Sequence, residues 1–152
     1  MSAAFTLDDT LRGTVLCWLA TVDAEGQPSV SPKEMWVMEA DRFRIADIAS
    51  GGSVRAIRSN PKVCVSLLDI FRERGHKLIG TAQIIAPQDK RFAELAAPLI
   101  AKAGPDYPVR NVIDVTVYRA IPIIAPGWHI FPDRDPEDHL RRTQDTYAAR
   151  LR

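Results

Sequence analysis

The sequence predicts a mainly β protein with a few α-helices: a six-stranded antiparallel barrel, closed or nearly closed, with short peripheral helices. Three observations predict it. Apolar segments of strand length recur along the chain, turn residues separate most of them at short range, and the apolar content is high but aliphatic, 46% hydrophobic against 7% aromatic. Strands joined by short connections bury a common apolar face by curling into a barrel.

The strands follow in order. Val15 to Val22 is almost continuously apolar, and Asp23-Ala24-Glu25-Gly26 then supplies turn chemistry before a second run opens at Pro28, so the pair reads as a hairpin. A tight turn at Glu39-Ala40-Asp41 leads into Arg42-Phe43-Arg44-Ile45, where alternation places Phe43 and Ile45 on one face and the arginines on the other. Three strands therefore precede residue 48. The other three are Val63 to Leu68, Lys77 to Ile85 and Val112 to Ile124; in the last, Ile113, Val115 and Val117 alternate with Asp114, Thr116 and Tyr118.

The helices carry start signals. Asp89 is placed to cap a helix with Phe92, Leu95, Ala96, Leu99 and Ile100 on one face; it ends at Gly104, and Pro98 predicts a kink or an early stop. Asp135, followed by Pro136, Glu137 and Asp138, opens a C-terminal helix whose Leu140, Tyr147 and Leu151 share a face suited to the barrel or to a partner subunit. Nothing divides the chain, so residues 1–152 are read as a single domain with 126–152 as a C-terminal loop and helix extension.

Charge narrows the function. Twenty Lys and Arg against 19 Asp and Glu give a net charge of +1, which offers no global attraction to nucleic acid or to an anionic membrane. The apolar stretch from Thr14 to Val22 is too short to span a bilayer, and the first nine residues carry Asp8 and Asp9 rather than a cationic leader. Cys17 and Cys64, each in an apolar run, predict buried thiols in a reducing compartment, so a cytoplasmic location is expected.

The balance is local, however. From Ile48 to Leu68 there is no acidic residue, while Arg55, Arg58 and Lys62 are cationic. Within that window Gly51-Gly52 precede Ser53, which is positioned to cap a short helix running to about Asn60, where Pro61 stops it. A helix start with glycines presents free N–H groups to an anion, and the Ser53 hydroxyl with the Arg55 guanidinium suits a phosphate monoester. The pattern equally serves a plain capping turn with exposed arginines. Lys33, on the second strand in Ser31-Pro32-Lys33, reaches the same end of the barrel if that strand pairs accordingly, and is otherwise a solvated strand lysine.

Leu19 to Pro28, the Ser31-Pro32-Lys33 run, Ile57-x-x-Asn60-Pro61-x-Val63 and Gly80-Thr81-Ala82 together resemble the pyridoxamine 5′-phosphate oxidase-like flavin-binding split-barrel proteins, as an ordered series over roughly Leu16 to Ile124. The resemblance is nearest to the branch of predicted flavin-nucleotide-binding proteins. It implies a six-stranded split barrel, a homodimer, and FMN at the subunit interface. It also implies that Ser31, Pro32, Lys33, Gly52, Ser53, Val54 and Arg55 surround the phosphate, with Ala46 and Asp47 passing beside the flavin through their backbone. Two departures are visible: Gly52 stands where many members carry a cation, and Pro28 where the true oxidases have arginine. The family's C-terminal pyridoxal phosphate motif is replaced by Ala125-Pro126-Gly127-Trp128-His129-Ile130-Phe131-Pro132-Asp133-Arg134, so vitamin B6 oxidation is not expected. An FMN-dependent oxidoreductase acting on a small molecule is the reading that follows. The alternatives are a non-catalytic flavin-binding module and a barrel that holds F420 or haem.

His76, His129 and His139 have no ligand-like spacing, so no metal site is expected. His76 in Arg74-Gly75-His76-Lys77 reads as an exposed turn residue, in a turn that the resemblance puts near the flavin edge; Trp128 and Phe131 read as packing for the C-terminal extension, with lining a partner's flavin pocket as the alternative.

Overall fold

Strand β1 (Cys17–Val22) turns into β2 (Pro28–Lys33) as the hairpin chemistry predicts. The Asp23 carboxylate accepts from the N–H groups of Glu25 (3.0 Å) and Gln27 (2.8 Å), and Gly26 takes φ 86°. The strands β3 (Trp36–Glu39), β4 (Arg42–Asp47), β5 (Lys62–Asp69), β6 (Arg74–Ile85) and β7 (Asn111–Ile124) complete the sheet; the helices are α1 (Leu7–Gly13), α2 (Gly51–Ser59), α3 (Phe92–Ala103), α4 (Pro126–Ile130) and α5 (Pro136–Arg150). These elements come from a computed structural model that describes residues 5–150.

The sheet has seven antiparallel strands in the order β2-β1-β5-β6-β7-β4-β3. Six strands were expected because the run after Pro28 reads as continuous; it is broken at Glu34-Met35. The residues before the break pair with β1 and those after it with β4. Consecutive strands β2 and β3 therefore occupy opposite edges of one sheet. A two-residue link can join opposite edges only if the sheet curls until they meet, which gives a half-barrel. Pro28 and Pro32 are tolerated because β2 is an edge strand and needs ladder donors on one side only.

The inner face follows the predicted alternation. Cys17, Leu19, Phe43, Ile45, Val65, Leu67, Leu78, Ile113 and Val115 are buried, and Trp36 stacks on Phe43 at 5.2 Å. A second cluster of Ala46, Ile85, Ala96, Leu99 and Val112 lies under α3. Gly80 marks a register shift between β6 and β7, where an added Cβ would meet the Thr116 carbonyl. A side chain there would force the strands apart.

Several local expectations are corrected. The strand β6 begins at Arg74, so His76 is buried in the sheet rather than exposed in a turn, with Nδ1 2.7 Å from the Thr10 hydroxyl on α1. Burial pushes the His76 pKa below its ordinary value. Thr6 and Asp9 form a reciprocal capping box that starts α1. Cys17 is buried, with its thiol pushed up to about 12, chiefly by desolvation, but Cys64 is only half-buried on the outer face. Helix α3 starts at Phe92 with Arg91 at its N-cap; Asp89 closes the preceding turn by accepting from Arg91 N–H at 2.9 Å. Pro98 stands exposed within the helix and does not end it.

In α5 the buried positions are His139 and Thr143, one turn apart, while Leu140 and Tyr147 are half-buried; Leu151 lies outside the described residues. The His139 ring stacks on Trp128 at 4.3 Å and approaches the Glu73 carboxylate at 3.1 Å, so α5 covers the β5–β6 turn of its own chain. Trp128 packs as expected, under the Arg74 guanidinium at 4.0 Å.

Candidate functional site

The curl that joins the two sheet edges also brings the end of β2 against the start of α2. The hydroxyls of Ser31 and Ser53 lie 3.3 Å apart, 22 residues distant in sequence. The helix start differs from the expected one: Ser50, not Ser53, is the N-cap, and Ser53 is the third residue of the helix. The reason is Asp47, whose carboxylate accepts the Ser50 N–H at 2.7 Å and lets Gly51 and Gly52 enter the helix. The first intrahelical bond there runs from Val54 N–H to the Ser50 carbonyl at 3.0 Å. Helix geometry leaves the N–H groups of Gly51, Gly52 and Ser53 without intrahelical acceptors. Gly52 is open to solvent, with no atom within 4 Å of where a Cβ would stand. The Arg55 guanidinium comes within 3.5 Å of the corresponding point on Gly51, at the helix start.

Two clefts open beside this contact. The first, of about 340 Å³, has Pro32, Met35, Ala46 and Ile48 as apolar wall and Lys33, Glu34, Ser50 and Tyr107 as polar wall. The second, of about 360 Å³, runs between the β1–β2 turn and α2, with Asp23 and Glu25 facing Gly52 and Arg55. The residues named from the sequence thus divide. Ser31 and Ser53 touch each other, Pro32, Lys33 and Ala46 line the first cleft, and Gly52 and Arg55 line the second. Val54 turns its side chain into the core. Asp47 is buried, its carboxylate occupied by Ser50 N–H and by the Asn111 amide at 2.6 Å.

Lys33 is half-buried at the end of β2, opposite Cys17. Desolvation lowers its pKa, against the opposing pull of Cys17 and Asp47. Among the described residues, Lys33, Arg55, Arg58 and Lys62 form no ion pair. Half-buried positive charge beside unpartnered helix N–H groups is the electrostatic setting an anion needs. Met35, Ile48, Ser50 and Tyr107 carry no sequence signal as site residues. Met35 and Ile48 read as core, and Tyr107 reaches the cleft only through the packing of the loop after α3.

The family model for pyridoxamine 5′-phosphate oxidase matches residues 6–122. The chain belongs to this family. Solved structures agree on the fold. HupZ from Group A Streptococcus is 26% identical over 75% of this chain and 88% of that one, with a TM-score of 0.63. An FMN-binding protein from Syntrophomonas wolfei is 12% identical over 76% and 82% of the two chains, TM-score 0.64. HutZ, the heme storage protein from Vibrio cholerae, is 15% identical over 77% and 90%, TM-score 0.63. No curated protein sequence matches the chain. Among the described residues no helix is long and apolar enough to cross a membrane, and no cluster of three or more His, Cys, Asp or Glu is placed to hold a metal ion.

Proposed function

We propose that this family member binds FMN and acts as a flavin-dependent oxidoreductase on a small molecule, as a homodimer with the cofactor at the subunit interface. The observation that carries the reading is a cleft with an apolar wall that Lys33 lines together with Ser50, the N-cap of α2, beside the Ser31–Ser53 contact. The phosphate would sit at the Ser31–Ser53 contact between the two clefts, reached by Lys33 from the first and by the Gly52 N–H and Arg55 from the second, with the two hydroxyls and the Ser53 N–H between them. Pro32 and Ala46 would border the ring system, and Asp47 and Val54 would hold α2 in place from beneath. Bound flavin supplies the electron and hydride chemistry, and the chain contributes binding, orientation and exclusion of water. The outer face of the β1–β2 hairpin supports dimerisation: Trp18 (45% exposed) pairs with Pro32, and Val30 (59% exposed) with Ala20, so these apolar side chains share one solvent-facing surface that continues to the cleft.

A haem reading draws support from the fold shared with HutZ. On the site's chemistry it would take Tyr107 or Met35 as the axial ligand, since the first cleft is lined by no His or Cys, whereas the FMN reading also uses the hydroxyls and helix N–H groups beside the cleft. The visible spectrum after titration with FMN, F420 and haemin separates the readings. Tight, saturable FMN binding with quenched fluorescence is expected, and failure to bind FMN would overturn the proposal. Reduction of the loaded protein by NAD(P)H, followed by reoxidation by a small-molecule acceptor, would distinguish an enzyme from a binding module. A light-scattering mass of two chains is the expected oligomeric state.

A further inference from the structure

The first cleft has a wall that no sequence motif announces. Tyr107 lies in the loop between α3 and β7 and is 55% exposed, yet it lines the same cleft as Lys33 and Ser50. Its loop is tied down on both sides. Gly104, at φ 77°, ends α3 by donating to the Ile100 carbonyl, and its own carbonyl accepts from Tyr107 N–H at 3.4 Å. Downstream, Val109 packs into the cluster that contains Met35 and Ile48, and Arg110 N–H donates to the Asp47 carbonyl at 2.8 Å.

Asp47 therefore bonds in three directions from one buried position: to the start of α2 through Ser50, to the start of β7 through Asn111, and to the Tyr107 loop through its backbone carbonyl. The first of these sits on the phosphate side of the cleft and the last on its aromatic side.

We infer that Tyr107 is a specificity-determining residue that stacks on the planar ring of the ligand, and that Asp47 is the positioning residue that fixes this wall relative to the phosphate-binding helix start. The inference rests on the FMN reading above. It fits the chemistry of the wall, since an aromatic side chain lining a cleft with apolar Met35, Ala46 and Ile48 recognises a flat ring without regard to its phosphate. Lys33, in contrast, recognises the phosphate without regard to the ring.

The test is calorimetric binding of FMN, riboflavin and inorganic phosphate to the full chain and its variants. Tyr107→Ala is expected to weaken FMN and riboflavin by the same factor, about tenfold, and to leave phosphate unchanged; Tyr107→Phe restores the loss. Lys33→Ala should weaken FMN and phosphate but spare riboflavin. Asn111→Ala removes one partner of Asp47 while leaving the Ser50 cap, and should weaken riboflavin by a smaller factor in the same direction. If wild type binds FMN and riboflavin while Tyr107→Ala binds both equally well, the inference fails and the FMN reading stands. Loss of phosphate together with flavin in Tyr107→Ala would show a merely structural role and also overturn it. Absence of any flavin binding by wild type overturns both.

Discussion

On β4, Arg42 and Arg44 converge on the buried Asp114 carboxylate, which also accepts from the Gln83 amide at 3.1 Å, while Arg44 takes a second partner in Glu39 at 2.9 Å. On β2 and α2, Lys33 and Arg55 have no carboxylate partner among the described residues. Both regions place cations on the strands and helix of one half-barrel, but the first is neutralised from within and the second is not. Arg55 is exposed but Lys33 is half-buried, and a partly desolvated charge without an internal partner costs free energy, so Lys33 stands to gain from an external anion. The contrast supports the proposed ligand side by charge as well as by shape.

Removing the internal partner should break the first region outright. Asp114→Ala strands the Arg42 guanidinium and leaves Arg44 with Glu39 alone, and a loss of about 3–5 kcal/mol is expected in the denaturant unfolding free energy, since breaking a buried pair leaves an uncompensated charge. The corresponding change in the second region, Lys33→Ala, should leave stability within about 0.5 kcal/mol while FMN affinity falls by about 1.5–3 kcal/mol. A variant that loses stability and affinity together would erase the distinction between the two regions.

His76 allows the comparison to be sharpened by pH alone. Its neutral ring is hydrogen-bonded to Thr10, and protonation would create an unpaired cation in the core. Because burial depresses the folded pKa below 6.5, the unfolded chain binds the proton first as pH falls. The stabilisation is therefore fully present above pH 6.5, declines as pH drops through the folded pKa, and changes no further below it. Denaturant midpoints across this window should show that slope in wild type, flattened in His76→Asn. The smallest effect is expected at an exposed pair: Arg12→Ala should not move the denaturation midpoint, because the pair is solvent-screened and the Asp9 carboxyl, held at about 2, is lowered first by its hydrogen bonds to Thr6.

The local readings that succeeded were those with a local cause. The β1–β2 turn follows from Asp23 and Gly26, the burial of Phe43 and Ile45 from period-two alternation, and the start of α5 from Asp135 and Pro136. Those that failed depended on a distant partner. His76 looked exposed because nothing near it in sequence shows that α1 returns to cover it. Ser53 looked like a helix cap because the competing acceptor, Asp47, lies on the preceding strand. The run after Pro28 looked like one strand because its apolar pattern continues while its pairing partner changes from β1 to β4.

The sequence by itself determined the mainly β class, the family, the acid-free window and most of the polar residues now found near one another, because strand periodicity, turn chemistry and charge placement are written in neighbouring residues. Only the tertiary structure decided that Ser31 meets Ser53, that the predicted site residues divide between two clefts, and that Tyr107 walls one of them. Those facts depend on the curl of the sheet, and the curl is a property of which edges close on each other rather than of any single segment.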